Sequence, residues 1–192
     1  MRHKYSTRAL VLARTPSGEE SITASLLTED FGLIRARSQG ARKGSAKMSA
    51  GMQTLSASDV TLLRGKDVWR MAGAVLEKNW ARELDGAARK RAARVLELAD
   101  RLIRGEHSDP ELFLILSSFL RALPERTEEE QDAAEMLAVL RMLHALGVDA
   151  GDTYGEADDY TSGTPESALE RALTDRTVLI TRINHGISES GL

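Results

Sequence analysis

Cysteine is absent from the 192 residues. That excludes a disulfide scaffold and any thiolate metal site. Aromatic residues are scarce, at 4%, and proteins that read bases by tight stacking carry more. No apolar run approaches the ~18 residues of a membrane span. Arg2, His3 and Lys4 lead into no apolar stretch with a cleavage site, because Leu10 to Ala13 is too short for a signal peptide. These absences predict a soluble, cytoplasmic protein. The four histidines, His3, His107, His144 and His185, are scattered and lack metal-ligand spacing. No nucleophile elbow, phosphate loop, dinucleotide fingerprint or His-Glu-x-x-His motif occurs. No catalytic residue, metal ligand or cofactor is therefore predicted, and the expectation is a protein that is not an enzyme.

What is present is charge, unevenly spread. Residues 1–82 hold 14 Lys and Arg against 7 Asp and Glu, a surplus of +7. Residues 83–192 carry the remaining 12 basic and 22 acidic residues, a balance of −10. A basic half suits a polyanion, and an acidic half does not.

The hydrophobic period changes at the same place. Five short runs in the first half read as strands. Thr7 to Arg14 ends at the turn cluster Pro16-Ser17-Gly18. Ser21 to Thr28 alternates with Ile22, Ala24 and Leu26 on one face. Leu33 to Ser38 sets Ile34 and Ala36 against Arg35 and Arg37. Residues 39–51 form a small-residue basic connector. Leu55 to Leu63 is the fourth run, and Val68 to Leu76 the fifth, with Trp69, Met71, Gly73 and Val75 on one face. Closure removes the exposed edges of such a short sheet. A five-stranded OB-fold barrel is the expected answer, with an SH3-like barrel as the alternative.

From about residue 86 the period is helical. Ala88, Ala92, Val95, Leu96, Ala99 and Leu102 mark one face. Asp109-Pro110 opens a second helix, with the acid as cap and Pro at the first helical position. Thr127 with Glu130 is a capping-box pattern for a third. Residues 149–163 read as an acidic surface loop. Thr164-Pro165 starts a last helical region with Leu169, Leu173, Ile180, Ile183 and Ile187 as its apolar positions. The expected fold class is β plus α: an OB-fold domain over residues 1–82, then an all-α domain over 83–192.

Basic side chains on the barrel make the candidate site. Arg35 and Arg37 share one strand face. Arg42, Lys43 and Lys47 follow in the connector. Arg64 and Lys66 lie in the turn between the last two strands, and Arg70 begins the outward face of the fifth. Together they form a groove able to follow a phosphate backbone, with weak sequence preference and strong salt dependence. Trp69 falls on the face assigned to the core. A protein-interaction adaptor with a passive OB-like barrel is the alternative.

The stretch Ala9-Leu10-Val11-Leu12, then Gly18-Glu19-Glu20-Ser21, Thr28-Glu29-Asp30-Phe31-Gly32-Leu33 and Gln39-Gly40-Ala41-Arg42-Lys43-Gly44-Ser45, resembles the N-terminal domain of the bacterial DNA repair protein RecO family. Leu55 to Trp69 is similar to its later strands, and Leu137 to Gly147 to a leucine-rich helix of its second domain. Many relatives carry a four-cysteine zinc site after that helix, which this sequence lacks, and the chain is shorter than typical members.

The resemblance implies a cytoplasmic, nucleoid-associated mediator of recombinational repair. It implies binding of single- and double-stranded DNA, annealing of complementary strands, and work with RecR in loading RecA onto DNA coated by single-stranded-DNA-binding protein (SSB). It places the DNA surface on Arg35, Arg37, Arg42, Lys43 and Lys47. It also implies docking of the acidic, apolar SSB C-terminal tail on the helical domain, for which Phe113, Leu116, Arg121 and Arg141 are the candidates. If the connector is part of the DNA surface, Arg42→Glu with Lys43→Glu abolishes single-strand binding at low salt in an anisotropy titration. Unchanged affinity would remove the connector from the site.

Overall fold

The computed structural model describes residues 3–17, 21–39, 46–66, 68–149, 160–161 and 165–192. Arg42 and Lys43, and most of the acidic loop 149–163, lie outside the described residues. Two compact units emerge. One comprises Met1–Glu83 with Ile103–Phe113, the other Leu84–Leu102 with Leu114–Leu192. The sequence boundary near residue 82 therefore misses one return of the chain: Ile103–Phe113, including the first turn of a helix, belongs with the strands.

The first unit is a closed barrel. Strands β1 (Lys4–Pro16), β2 (Ser21–Thr28), β3 (Gly32–Gln39), β4 (Ser56–Arg64) and β5 (Trp69–Asn79) are ordered β1-β2-β3-β5-β4, and β4 returns to β1. This is the five-stranded OB-fold connectivity. Every ladder is antiparallel except β3 with β5, where two parallel pairs, Ala36 with Trp69 and Arg37 with Arg70, close the barrel. Inward positions build the core, among them Val11, Leu26, Ile34, Leu62, Trp69 and Met71. Tyr5, Phe31 and Trp69 pack against one another with ring centroids 5.5–5.7 Å apart. Trp69 is 4% exposed, so its ring is committed to the core.

Three local features depart from the sequence expectation. The connector holds a one-turn-plus helix, α1 (Ala46–Gly51). Met48 on it and Met52 just after it plug the barrel core; so short a helix leaves no periodic trace. Leu55 is not the first residue of a strand. It adopts φ +64°, held by its N–H to the Val11 carbonyl at 3.1 Å and by Trp80 N–H to its own carbonyl at 3.0 Å. Finally, the inward face of β5 switches. Leu62 pairs with Met71 but Thr61 with Gly73, leaving Ala72 as a bulge. One extra residue reverses the alternation beyond it. Ala74 is therefore buried and Val75, expected beside Trp69 and Met71, is 66% exposed.

The turn between β2 and β3 is tied to the returning segment. Thr28 Oγ1 donates to the Gly32 carbonyl at 2.8 Å and accepts from Phe31 N–H at 3.0 Å. Gly32 sits at φ +69°, and a Cβ there would lie 1.9 Å from the His107 carbonyl oxygen. Glu106 reaches Arg64 at 3.5 Å, and the Arg8 guanidinium lies 5.7 Å from the Phe113 ring centre.

In sequence, a four-residue turn of helix, α2 (Trp80–Glu83), follows the barrel. Then come α3 (Gly86–Leu102), α4 (Pro110–Ala122), α5 (Glu128–Ala145), α6 (Pro165–Thr174) and α7 (Arg176–Glu189). The caps read in the sequence are formed. Asp109 Oδ1 accepts from Glu111 and Leu112 N–H at 3.1 and 3.2 Å. Thr127 and Glu130 make the reciprocal box. Donation from the Thr127 backbone holds the Glu130 carboxyl below its ordinary pKa. No helix among the described residues is long and apolar enough to cross a membrane.

The last helical region comprises two helices, α6 and α7. On α7 the buried residues are Leu179, Arg182 and Gly186. Ile180, Ile183 and Ile187 are half-buried and Leu173 is exposed. The buried stripe is displaced because it contains a charge. Arg182, 2% exposed, forms a bidentate pair with the equally buried Asp149 carboxylate, its Nε donating to Oδ1 at 2.6 Å. His144 Nδ1 is 3.4 Å from the same carboxylate.

The Gly32 contact carries a prediction. Gly32→Ala combines left-handed strain with a backbone overlap, so it lowers stability by about 2–4 kcal/mol. Urea unfolding of the variant shows this as a lower midpoint at unchanged slope. An unshifted midpoint would mean that the returning segment yields freely.

Candidate nucleic-acid interface

The barrel exterior is assembled strand by strand. Arg37 and Arg70 are neighbours only because β3 and β5 meet in parallel. Residues paired across successive strands share a face, so one row crosses the whole barrel wall. It runs Thr23, Arg37, Arg70, Leu63, Lys4. Arg37, Arg70 and Lys4 are exposed. Arg35, also exposed, lies two residues from Arg37 and pairs with Ser25 of β2.

Among the described residues the charges along this row are of one sign. Arg37 donates to the Ser17 carbonyl and the Ser21 hydroxyl, both at 3.4 Å, which orients it without neutralising it. Among the described residues no carboxylate lies within ion-pair distance of Lys4, Lys66 or Arg70. The contrast is Arg8, farther along β1, which sits 4.0 Å from Glu29 and 3.5 Å from Glu77. That end of the barrel is balanced, and the β3–β5 end is cationic.

The expected site residues divide accordingly. Arg35, Arg37 and Arg70 share the seam face. Lys66 is exposed in the β4–β5 turn. Arg64 is engaged by Glu106 and lies 5.4 Å from the Trp69 ring centre, so part of its charge is answered within the fold. Lys47 belongs to α1, and Arg42 and Lys43 fall outside the described residues. Lys4 was missed because the first strand was begun at Thr7. Its signal was the alternation Lys4, Tyr5, Ser6, with Tyr5 packed inward.

The helical unit offers a second feature. A groove of about 160 Å³ is lined by Phe119, Ala122, Leu137 and Leu169, with Arg126 and Arg141 at its polar side. Arg141 donates from Nε to the Tyr160 carbonyl at 2.8 Å. No carboxylate pairs with it among the described residues, and burial lowers its pKa. Arg126 Nε is buried without a hydrogen-bond partner among the described residues. Of the four partner-binding candidates, only Arg141 lines this groove. Phe113 and Leu116 are 2% and 0% exposed; their apolar chemistry is spent on core packing. Arg121 is exposed on α4, off the groove. Phe119 and Arg126 line the groove with Arg141.

Among the described residues no three His, Asp or Glu side chains group to hold a metal. A closed OB barrel with one cationic seam, followed by helices bearing a cation-edged apolar groove, defines an OB-fold protein with two candidate binding surfaces.

Comparison with known proteins agrees with that class. Residues 1–79 match the family described as Recombination protein O N terminal, and residues 85–150 match Recombination protein O C terminal. The DNA repair protein RecO of Dehalococcoides mccartyi is 31% identical over 129 residues, covering 67% of this chain and 51% of that protein. The DNA repair protein RecO of Heliobacterium modesticaldum is 31% identical over 147 residues, covering 74% and 51%. The chain belongs to the RecO family. It spans about half the length of the curated relatives it matches, and α6 and α7 lie outside both matched ranges.

Proposed function

We propose that this chain is a DNA-binding recombination mediator in DNA repair that catalyses no covalent step. It binds single- and double-stranded DNA on the barrel, anneals complementary strands, and works with RecR to load RecA onto SSB-coated DNA. The observation that carries the binding is the Arg37–Arg70 seam, extended by Lys4, where no carboxylate among the described residues lies within ion-pair distance, with Arg35 exposed beside it. Two guanidinium groups held side by side repel each other. A phosphodiester between them removes the repulsion and releases counterions. Membership of the RecO family supports the remaining steps and a cytoplasmic, nucleoid-associated setting.

The groove on the helical unit is the proposed seat of the SSB C-terminal tail. Its apolar lining suits the apolar residues of that tail. Arg141, desolvated and with no carboxylate partner among the described residues, together with Arg126, suits its acidic groups.

Fluorescence anisotropy of a labelled single strand across a salt series tests the DNA surface. Each phosphate contact adds about −0.7 to the log–log salt slope for a single strand. Arg37→Glu with Arg70→Glu removes two contacts, so it flattens the slope by about 1.4 and weakens binding most at low salt. A variant that binds like the parent chain would favour the adaptor with a passive barrel. A second titration uses a labelled peptide of the SSB tail. Arg141→Ala lowers peptide affinity by roughly tenfold, the scale of one charge-assisted contact, and leaves DNA binding intact. Equal peptide affinity would take the tail away from this groove.

A further inference from the structure

The seam is more than a row of cations. It opens into a pocket of about 250 Å³ lined by Arg37, Arg70, Leu63, Val68 and Met71. Two guanidinium groups thus border the exposed Val68 and the half-buried Leu63, over the edge of core Met71. Val68 is 54% exposed, although it is large and apolar. Its backbone is fixed. The Gly65 N–H donates to the Val68 carbonyl at 3.1 Å, and a Cβ on Gly65 would approach that oxygen to 2.4 Å. The β4–β5 turn is therefore drawn tight, and Val68 is held at the rim of the pocket.

A single exposed valine means little. Val68 and Leu63 gathered in a concavity beside two cations that have no acidic partner among the described residues are a different matter. Phosphates alone have no use for an apolar floor. The ligand chemistry that offers an apolar plane next to anions is an unstacked base with its own flanking phosphates. In a duplex the base faces are hidden in the stack.

We infer that this pocket takes one unstacked base of a single DNA strand, its face against Val68 and Leu63, with Arg37 and Arg70 on the adjoining phosphates. Val68 is then the residue that favours single-stranded over duplex DNA. The inference rests on the DNA-binding reading of the same face.

The test separates the two. Anisotropy titrations at fixed low salt compare three ligands: a single strand of about 16 nucleotides, the upper site size of one OB barrel, an all-abasic strand of equal length, and the duplex. The parent chain binds the base-bearing strand more tightly than the abasic one. Val68→Ser weakens the base-bearing strand by about four- to fifteen-fold, the worth of one or two buried methyl groups. It leaves the abasic strand and the duplex unchanged. Val75→Ser, exposed on β5 but outside the pocket, alters none of them. If Val68→Ser leaves the base-bearing strand unchanged while Arg37→Glu with Arg70→Glu still weakens binding, the base pocket is overturned and the DNA face stands. Equal loss on all three ligands also overturns it, since Val68 would then act through the turn. If the parent chain binds no strand, both readings fall.

Discussion

The contact between β3 and β5 is only two residue pairs long, yet the rest of the first unit depends on it. Without it the sheet keeps two open edges. With it, inside and outside are fixed for every strand. The same two pairs face opposite ways. Ala36 and Trp69 turn inward, where Trp69 meets Tyr5 and Phe31. Arg37 and Arg70 turn outward. Aromatic packing on one side of the seam thus offsets like-charge repulsion on the other. A polyanion on the outer side acts in the same direction as the core, so ligand binding and barrel closure reinforce each other.

Much of this was legible in the residues. Alternation marked the second, third and fifth strands, and short apolar runs closed by turn residues marked the first and fourth; β2 is buried along most of its length. The caps at Asp109 and Thr127 marked helix starts, because local hydrogen bonds need only local sequence. What failed was non-local. The bulge at Ala72 is set by the partner strand, not by β5 itself, so Val75 was placed on the wrong face. The helix α1 is too short to show a period. Arg182 reads as a surface residue until Asp149, 33 positions away, is known to face it. For the candidate site, the residue types were readable but not their neighbours. Nothing in the sequence says that Arg37 meets Arg70, that Arg64 is answered by Glu106, or that Phe113 and Leu116 are core.

The Asp149–Arg182 pair has a different character from the ion pairs at the surface. Two charges withdrawn from water cost more in desolvation than an exposed pair does. Their bidentate geometry admits one placement of α7 against the end of α5. Apolar packing alone would tolerate rotation of α7, since Ile180, Ile183 and Ile187 offer a competing apolar stripe beside the buried one. The pair therefore selects a helix face more than it adds stability. It also ties α7, which lies beyond the matched ranges, to the last residues of the matched C-terminal range.

The return of Ile103–Phe113 to the barrel makes the first unit discontinuous along the chain. A ribosome that has released residue 83 has released all five strands but not His107, which abuts the β2–β3 turn, nor Phe113, which meets Arg8. All of α3 must be translated first. The barrel then forms in two stages during synthesis, a sheet that closes early and a clasp that arrives late. In the interval, Gly32 and the Arg8 side chain stand uncovered, and a nascent chain stalled within α3 exposes surfaces that the finished protein hides.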